Sequence, residues 1–137
     1  MRPRKSTKGA NKISLLCLLC LLCLFVAGCH IPPDPDVRIV PEVEPQPPRV
    51  GQATITVRVI QPSSGKPITG AQVRLEGNMS HAGMAAVFAE APEVGPGLYR
   101  TNMEFTMAGD WVLSVYVTLS DGLHVDRQFE IKGVAPA

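Results

Sequence analysis

The segment Gly77-Asn-Met-Ser-His-Ala-Gly-Met84 holds two thioether sulfurs and one imidazole within six residues. Soft sulfur and imidazole donors suit Cu(I), whereas carboxylates and carbonyls hold Mg or Ca. The short spacing and the glycines at positions 77 and 83 let one loop wrap Met79, His81 and Met84 around a single ion. Met103 and Met107 form a second close pair. On a regular strand they share a face but stand ~13 Å apart at ~3.3 Å per residue, so at most one of them joins the loop. Met103 is taken as that additional ligand. The competing account is packing, because methionine is adaptable filler in β cores and a loop histidine is usually just solvated.

Other groups with chemical potential are weaker. His124 lies beside Asp126 on the last apolar run and reads as a surface residue, and His30 reads as inert. Cys17, Cys20 and Cys23 have a spacing that superficially resembles metal ligation, but they sit inside an apolar run that reads as part of a leader. Asn78-Met79-Ser80 fits a glycosylation sequon, taken here as a chance match. Only His81 and His124 could act as conventional bases, Ser80 beside His81 is a neighbour in sequence alone, and the acids are scattered. The expectation is a protein that is not an enzyme.

The elements that must position these residues begin after an N-terminal leader. Residues 1–12 carry Arg2, Arg4, Lys5, Lys8 and Lys12 without an acid, and Ile13 to Val26 is a nearly unbroken apolar run. That run matches a signal-peptide core and is shorter than the ~20 residues of a membrane-spanning helix. Val26-Ala27-Gly28-Cys29 resembles the lipobox of bacterial lipoproteins. The resemblance implies cleavage after residue 28 and lipidation of Cys29, as with palmitate. Buried acyl chains contribute ~0.8 kcal/mol per CH₂, so two or three chains anchor permanently. Cleavage also leaves one cysteine, so no disulfide can form inside the mature domain.

Removal of the leader leaves eight basic residues against 12 acidic ones, about −4, which argues against nucleic acid as a partner. Residues 29–50 are dense in proline and read as a polyproline tether of about 20 residues, on the order of 60 Å at ~3.1 Å per residue. From 51 to 133 apolar and polar residues alternate with period 2 in short runs at 53–60, 71–76, 98–105, 111–119 and 123–131, with a weaker run at 85–90. Gly, Pro and Asp turns separate them, as at Pro62–Pro67 and Ser120–Gly122. This pattern predicts an all-β sandwich rather than a helical or α/β fold. The expected core is Ile55, Val57, Val59, Val73, Leu75, Tyr99, Trp111, Leu113, Val115, Val117 and Phe129.

Gly65-Lys-Pro-Ile-Thr-Gly-Ala71, the Met-Ser-His-Ala-Gly-Met loop, Pro96-Gly-Leu-Tyr99 and Met107-Ala-Gly-Asp-Trp111 resemble, in this order, the landmarks of the YtkA-like domain. The resemblance covers residues 51–133 and implies an immunoglobulin-like β-sandwich of about seven strands. It extends to FixH-type proteins, which are associated with copper delivery to respiratory oxidases and carry a transmembrane helix where this chain has a lipobox. That association points again at Met79, His81 and Met84. The expected function is a lipid-anchored, extracytoplasmic binding module that captures or delivers Cu(I), periplasmic in a Gram-negative cell, with His30 after the cysteine favouring the outer membrane. The alternative is a structural or adaptor domain in the cell envelope. Expected partners are the membrane, through the anchor, and an envelope protein or metalloprotein.

Overall fold

The computed structural model describes residues 35–81 and 83–137; the leader, Cys29 and His30 lie outside the described residues. Nine strands follow in chain order: β1 (Arg38–Glu44), β2 (Gly51–Gln61), β3 (Lys66–Pro67), β4 (Gln72–Met79), β5 (Val87–Ala91), β6 (Glu93–Gly95), β7 (Leu98–Phe105), β8 (Gly109–Thr118) and β9 (His124–Val134). They form two antiparallel sheets, one ordered β1-β2-β7-β6 with β3 paired to the end of β2, the other ordered β5-β4-β8-β9. No helix occurs among the described residues.

Period-2 alternation is what makes these runs strands, because alternate side chains then share one face that can be buried. Ala53, Ile55, Val57 and Val59 of β2 are buried, and so are Trp111, Leu113, Val115 and Val117 of β8. The two buried faces meet as a sandwich. The rings of Phe105 on β7 and Trp111 on β8 pack edge-to-face at 5.2 Å between centroids, a geometry favoured by aromatic quadrupoles. Of the expected core, Phe129 alone is half-buried; Val37, Ile39, Val43, Met103, Phe105, Val125 and Val134 join the rest.

The proline-rich stretch corrects the expected tether. Residues 38–44 pair in register with β2, from Arg38 opposite Ile60 to Glu44 opposite Thr54. Ile39 and Val43 are buried against the core, and so is Val37 just before the strand. Pro41 sits opposite Val57 inside this strand. Proline cannot donate to a ladder, and it is tolerated here because β1 is an edge strand with one side unpaired. The domain therefore begins well before residue 51. β1 and the short strands β3 and β6 are added to the six alternating runs read from the sequence, and together they give nine strands where about seven were expected.

Two motifs meet at one joint. The Tyr99 hydroxyl donates to the Ile68 carbonyl at 2.9 Å and accepts from the Ala71 N–H at 3.1 Å. Tyr99 is fully buried, and that burial is the main cause pushing its phenol from 10.0 up to about 12. Beside it Gly97 has φ +67, and its carbonyl accepts from the Val59 N–H at 2.9 Å. A Cβ at position 97 would stand 2.6 Å from the Pro67 Cβ and 2.8 Å from the Val59 carbonyl oxygen. Only glycine permits both the backbone angle and this approach.

Candidate metal centre

Met79 is the last residue of β4 and lies directly opposite Trp111 of β8. Alternation along β4 turns it to the inner face, where it is half-buried and packs against the core. Its terminal methyl stands 3.2 Å from where a Cβ of Gly109 would be. One residue on, the Ser80 N–H donates to the Asp110 carbonyl at 3.1 Å. The start of the loop that leaves β4 is thus held to the turn that enters β8.

That loop spans residues 80–86 and returns as β5, with Val87 opposite Gly77. His81 and Met84 are exposed on it, Met84 to 40%. Gly83 has φ +92, so the expected backbone freedom is used at that glycine. Gly77 serves otherwise. It is a buried strand residue, and a Cβ there would meet the Met103 sulfur at 3.0 Å and the Trp111 ring at 3.5 Å. Its role is to admit these two large side chains.

The second methionine pair divides. Met103 lies opposite Ala53 on the inner face of β7 and is only 2% exposed, its sulfur lodged against Gly77. Met103, expected as the strand-borne ligand, is thus packed within the core. Met107, in the turn between β7 and β8, is the exposed one at 47%. Its carbonyl accepts the Trp111 indole N–H at 3.0 Å. Met79 and Met107 therefore flank the same tryptophan, one through the ladder and one through the turn. A count of inward and outward positions along 98–105 puts Met103 inside with Tyr99, which was the signal for preferring Met107.

Among the described residues no three His, Cys, Asp or Glu side chains gather as a metal site. The donors at this end are thioethers and one imidazole, a set that fits a soft monovalent ion and not a hard divalent one. His124 is elsewhere, exposed on the outer face of the four-stranded sheet with its Nδ1 3.0 Å from the Thr118 hydroxyl oxygen. On the same face Glu76 accepts from Asn78 at 2.8 Å and from the Tyr116 hydroxyl at 2.9 Å. Those two bonds hold the Glu76 carboxyl below the usual range. The Arg74 guanidinium lies 5.2 Å from the centre of the Tyr116 ring, a cation–π contact.

The profile of the YtkA-like family matches residues 35–116, from just before β1 to within β8. The chain belongs to the YtkA-like family. The match begins at Pro35, which agrees with the inclusion of β1 in this YtkA-like domain. No curated protein matches the chain in sequence. Two solved structures share a rough likeness. One is an engineered protein, 18% identical with a TM-score of 0.45, over 73% of this chain and 20% of that one. The other is the PmoD soluble domain from Methylocystis sp. ATCC 49242 (Rockwell), 13% identical with a TM-score of 0.45, over 70% of this chain and 89% of that one. Likeness at this level says nothing about the function of the YtkA-like domain described here.

Proposed function

We propose that this YtkA-like domain is a lipid-anchored, non-enzymatic binding module outside the cytoplasm, and that it captures or delivers Cu(I). Met79, His81 and Met84 are the ligands, with Met107 in the place first given to Met103. One observation carries the reading. The half-buried Met79 is held against the turn that carries the exposed Met107, while His81 and Met84 stand exposed on the loop that Met79 opens. Cu(I) prefers such thioether and imidazole donors, and exposed thioethers can reach an incoming ion without unfolding the core. The anchor rests on the leader, the lipobox and Cys29. A structural or adaptor role is the second reading, favoured by the incompletely covered β9 side of the sandwich.

The test is a Cu(I) titration of residues 35–137 against a chromogenic competitor chelator. Met79→Ala, His81→Ala, Met84→Ala and Met107→Ala are titrated alongside. Tight one-to-one binding that weakens in each variant is the expected result. Failure of the unaltered domain to compete overturns the copper assignment and leaves the adaptor.

A further inference from the structure

β9 is an edge strand, paired with β8 and with nothing else in its sheet among the described residues. Register places Phe129 opposite Leu113 and Ile131 opposite Trp111, so both side chains face the core. Leu113 and Trp111 are closed off from solvent, whereas Phe129 and Ile131 remain half-buried. They line an open groove between β9 and β1, the edge of the other sheet, together with Ile39 and Val43. β1 is guarded by Pro41. β9 has no proline and keeps unbroken register with β8 from Thr118–His124 to Trp111–Ile131. An edge in continuous register over residues 124–131, without proline and backed by Phe129 and Ile131, is a template for another strand.

We propose that a second copy of this chain is that strand, pairing antiparallel with β9 about a two-fold axis at Phe129. Face, charge and regularity fix the register. Residues opposite each other in an antiparallel pair share a face, so only registers centred on a residue keep the two apolar faces together. Among these, centring on Phe129 sets Asp126 opposite Lys132 of the second copy, twice by symmetry, and Gln128 opposite Glu130. Centring on Gln128 opposes Asp126 to Glu130, centring on Glu130 opposes that residue to itself, and centring on Arg127 opposes two guanidinium groups. Centring on Ile131 also opposes unlike charges, Glu130 to Lys132, but it overlaps residues 128–134 alone and sets that overlap across the irregularity that follows Ile131. Like charges directly opposite destabilise a sheet, and unlike ones support it. Lys132, now 3.3 Å from Glu130 on an exposed surface, exchanges that contact for Asp126 of the second copy. The interface is isologous and closes at two chains, with Phe129 packed on its own symmetry mate.

The experiment is sedimentation of the full chain in detergent. The expected result is a dimer whose dissociation constant rises about tenfold in Asp126→Lys or in Lys132→Asp. The double variant D126K/K132D, which restores opposite charges across the axis, recovers it. Register is read separately: oxidation of a mixture of Gln128→Cys and Glu130→Cys chains gives a disulfide between the two introduced thiols, found by peptide mapping, and neither chain alone gives it. A monomer at every concentration, or a dimer indifferent to both charge reversals, overturns the proposal.

Discussion

The Tyr99 hydroxyl donates to the Ile68 carbonyl at 2.9 Å and so ties the start of β7 to the segment that crosses from β3 to β4. Pro67 and Gly97 touch at the same joint, so the Gly-Lys-Pro-Ile-Thr-Gly-Ala and Pro-Gly-Leu-Tyr landmarks are two halves of one contact.

Tyr99→Phe removes the partner of the Ile68 carbonyl and of the Ala71 N–H. The expected loss is about 1–3 kcal/mol, measured by urea unfolding followed through the single tryptophan. The unaltered domain also carries a pH signature. Its phenol is raised to about 12 in the fold against 10.0 for an ordinary tyrosine, so between these values the unfolded chain has already lost the proton that the folded one keeps. The stabilisation is complete below pH 10 and falls as pH rises toward 12. Tyr99→Phe removes this alkaline slope.

Gly97→Ala combines a left-handed backbone with a collision against Pro67 and the Val59 carbonyl. The two effects together are expected to cost roughly 2–5 kcal/mol. Gly122→Ala, with φ +90 but open space around the position, bears the backbone cost alone. The melting temperatures of the two variants check the difference.

Met103→Ala opens a cavity against Gly77 and Trp111 and is expected to cost about 2–5 kcal/mol. Its Cu(I) stoichiometry stays that of the unaltered domain. Met107→Ala behaves in the opposite way, with stability within about 0.5 kcal/mol and weakened Cu(I) binding. Chemical denaturation and chelator competition on the same two samples separate a packing methionine from a ligating one.

Much of the fold was legible because alternation needs no knowledge of the partner strand. Ile55, Val57 and Val59 declare one face of β2 on their own, and Trp111 to Val117 declare one face of β8. What misled was local chemistry with two outcomes. Prolines at 41, 45, 47 and 48 favour an extended chain, and an edge strand is one such chain. Nothing in the run itself says that Ile39 and Val43 will find β2. Gly77 likewise looks like a flexible loop residue until Met103 and Trp111 are seen to occupy the space of its missing side chain. Phe129 reads as core by its parity, and only the position of β9 at the sheet edge leaves it half-covered. The Met79, His81 and Met84 loop was visible as composition, whereas the link from Met79 to the Met107 turn depends on strand pairing at long range.

Trp111 offers a direct reading of that link. It is opposite Met79 in the ladder and bonded to the Met107 carbonyl, and it is the only tryptophan in the chain. Cu(I) at the proposed site quenches its emission, with the same midpoint as the chelator competition. Met79→Ala is expected to weaken both together. Emission that ignores the metal while the chelator reports binding places the ion elsewhere on the domain.

The pairing of β1 with β2 changes the distance at which this domain works. With Cys29 lipidated as proposed, the chain between that cysteine and Pro35 reaches at most roughly 20 Å even when fully stretched. A spacer ending at residue 50 would have let the domain roam far from the bilayer. Sewing residues 38–44 into the sheet shortens the leash, so a domain anchored in the proposed way would stay close to the lipid headgroups and would meet those neighbours whose own surfaces lie at the membrane.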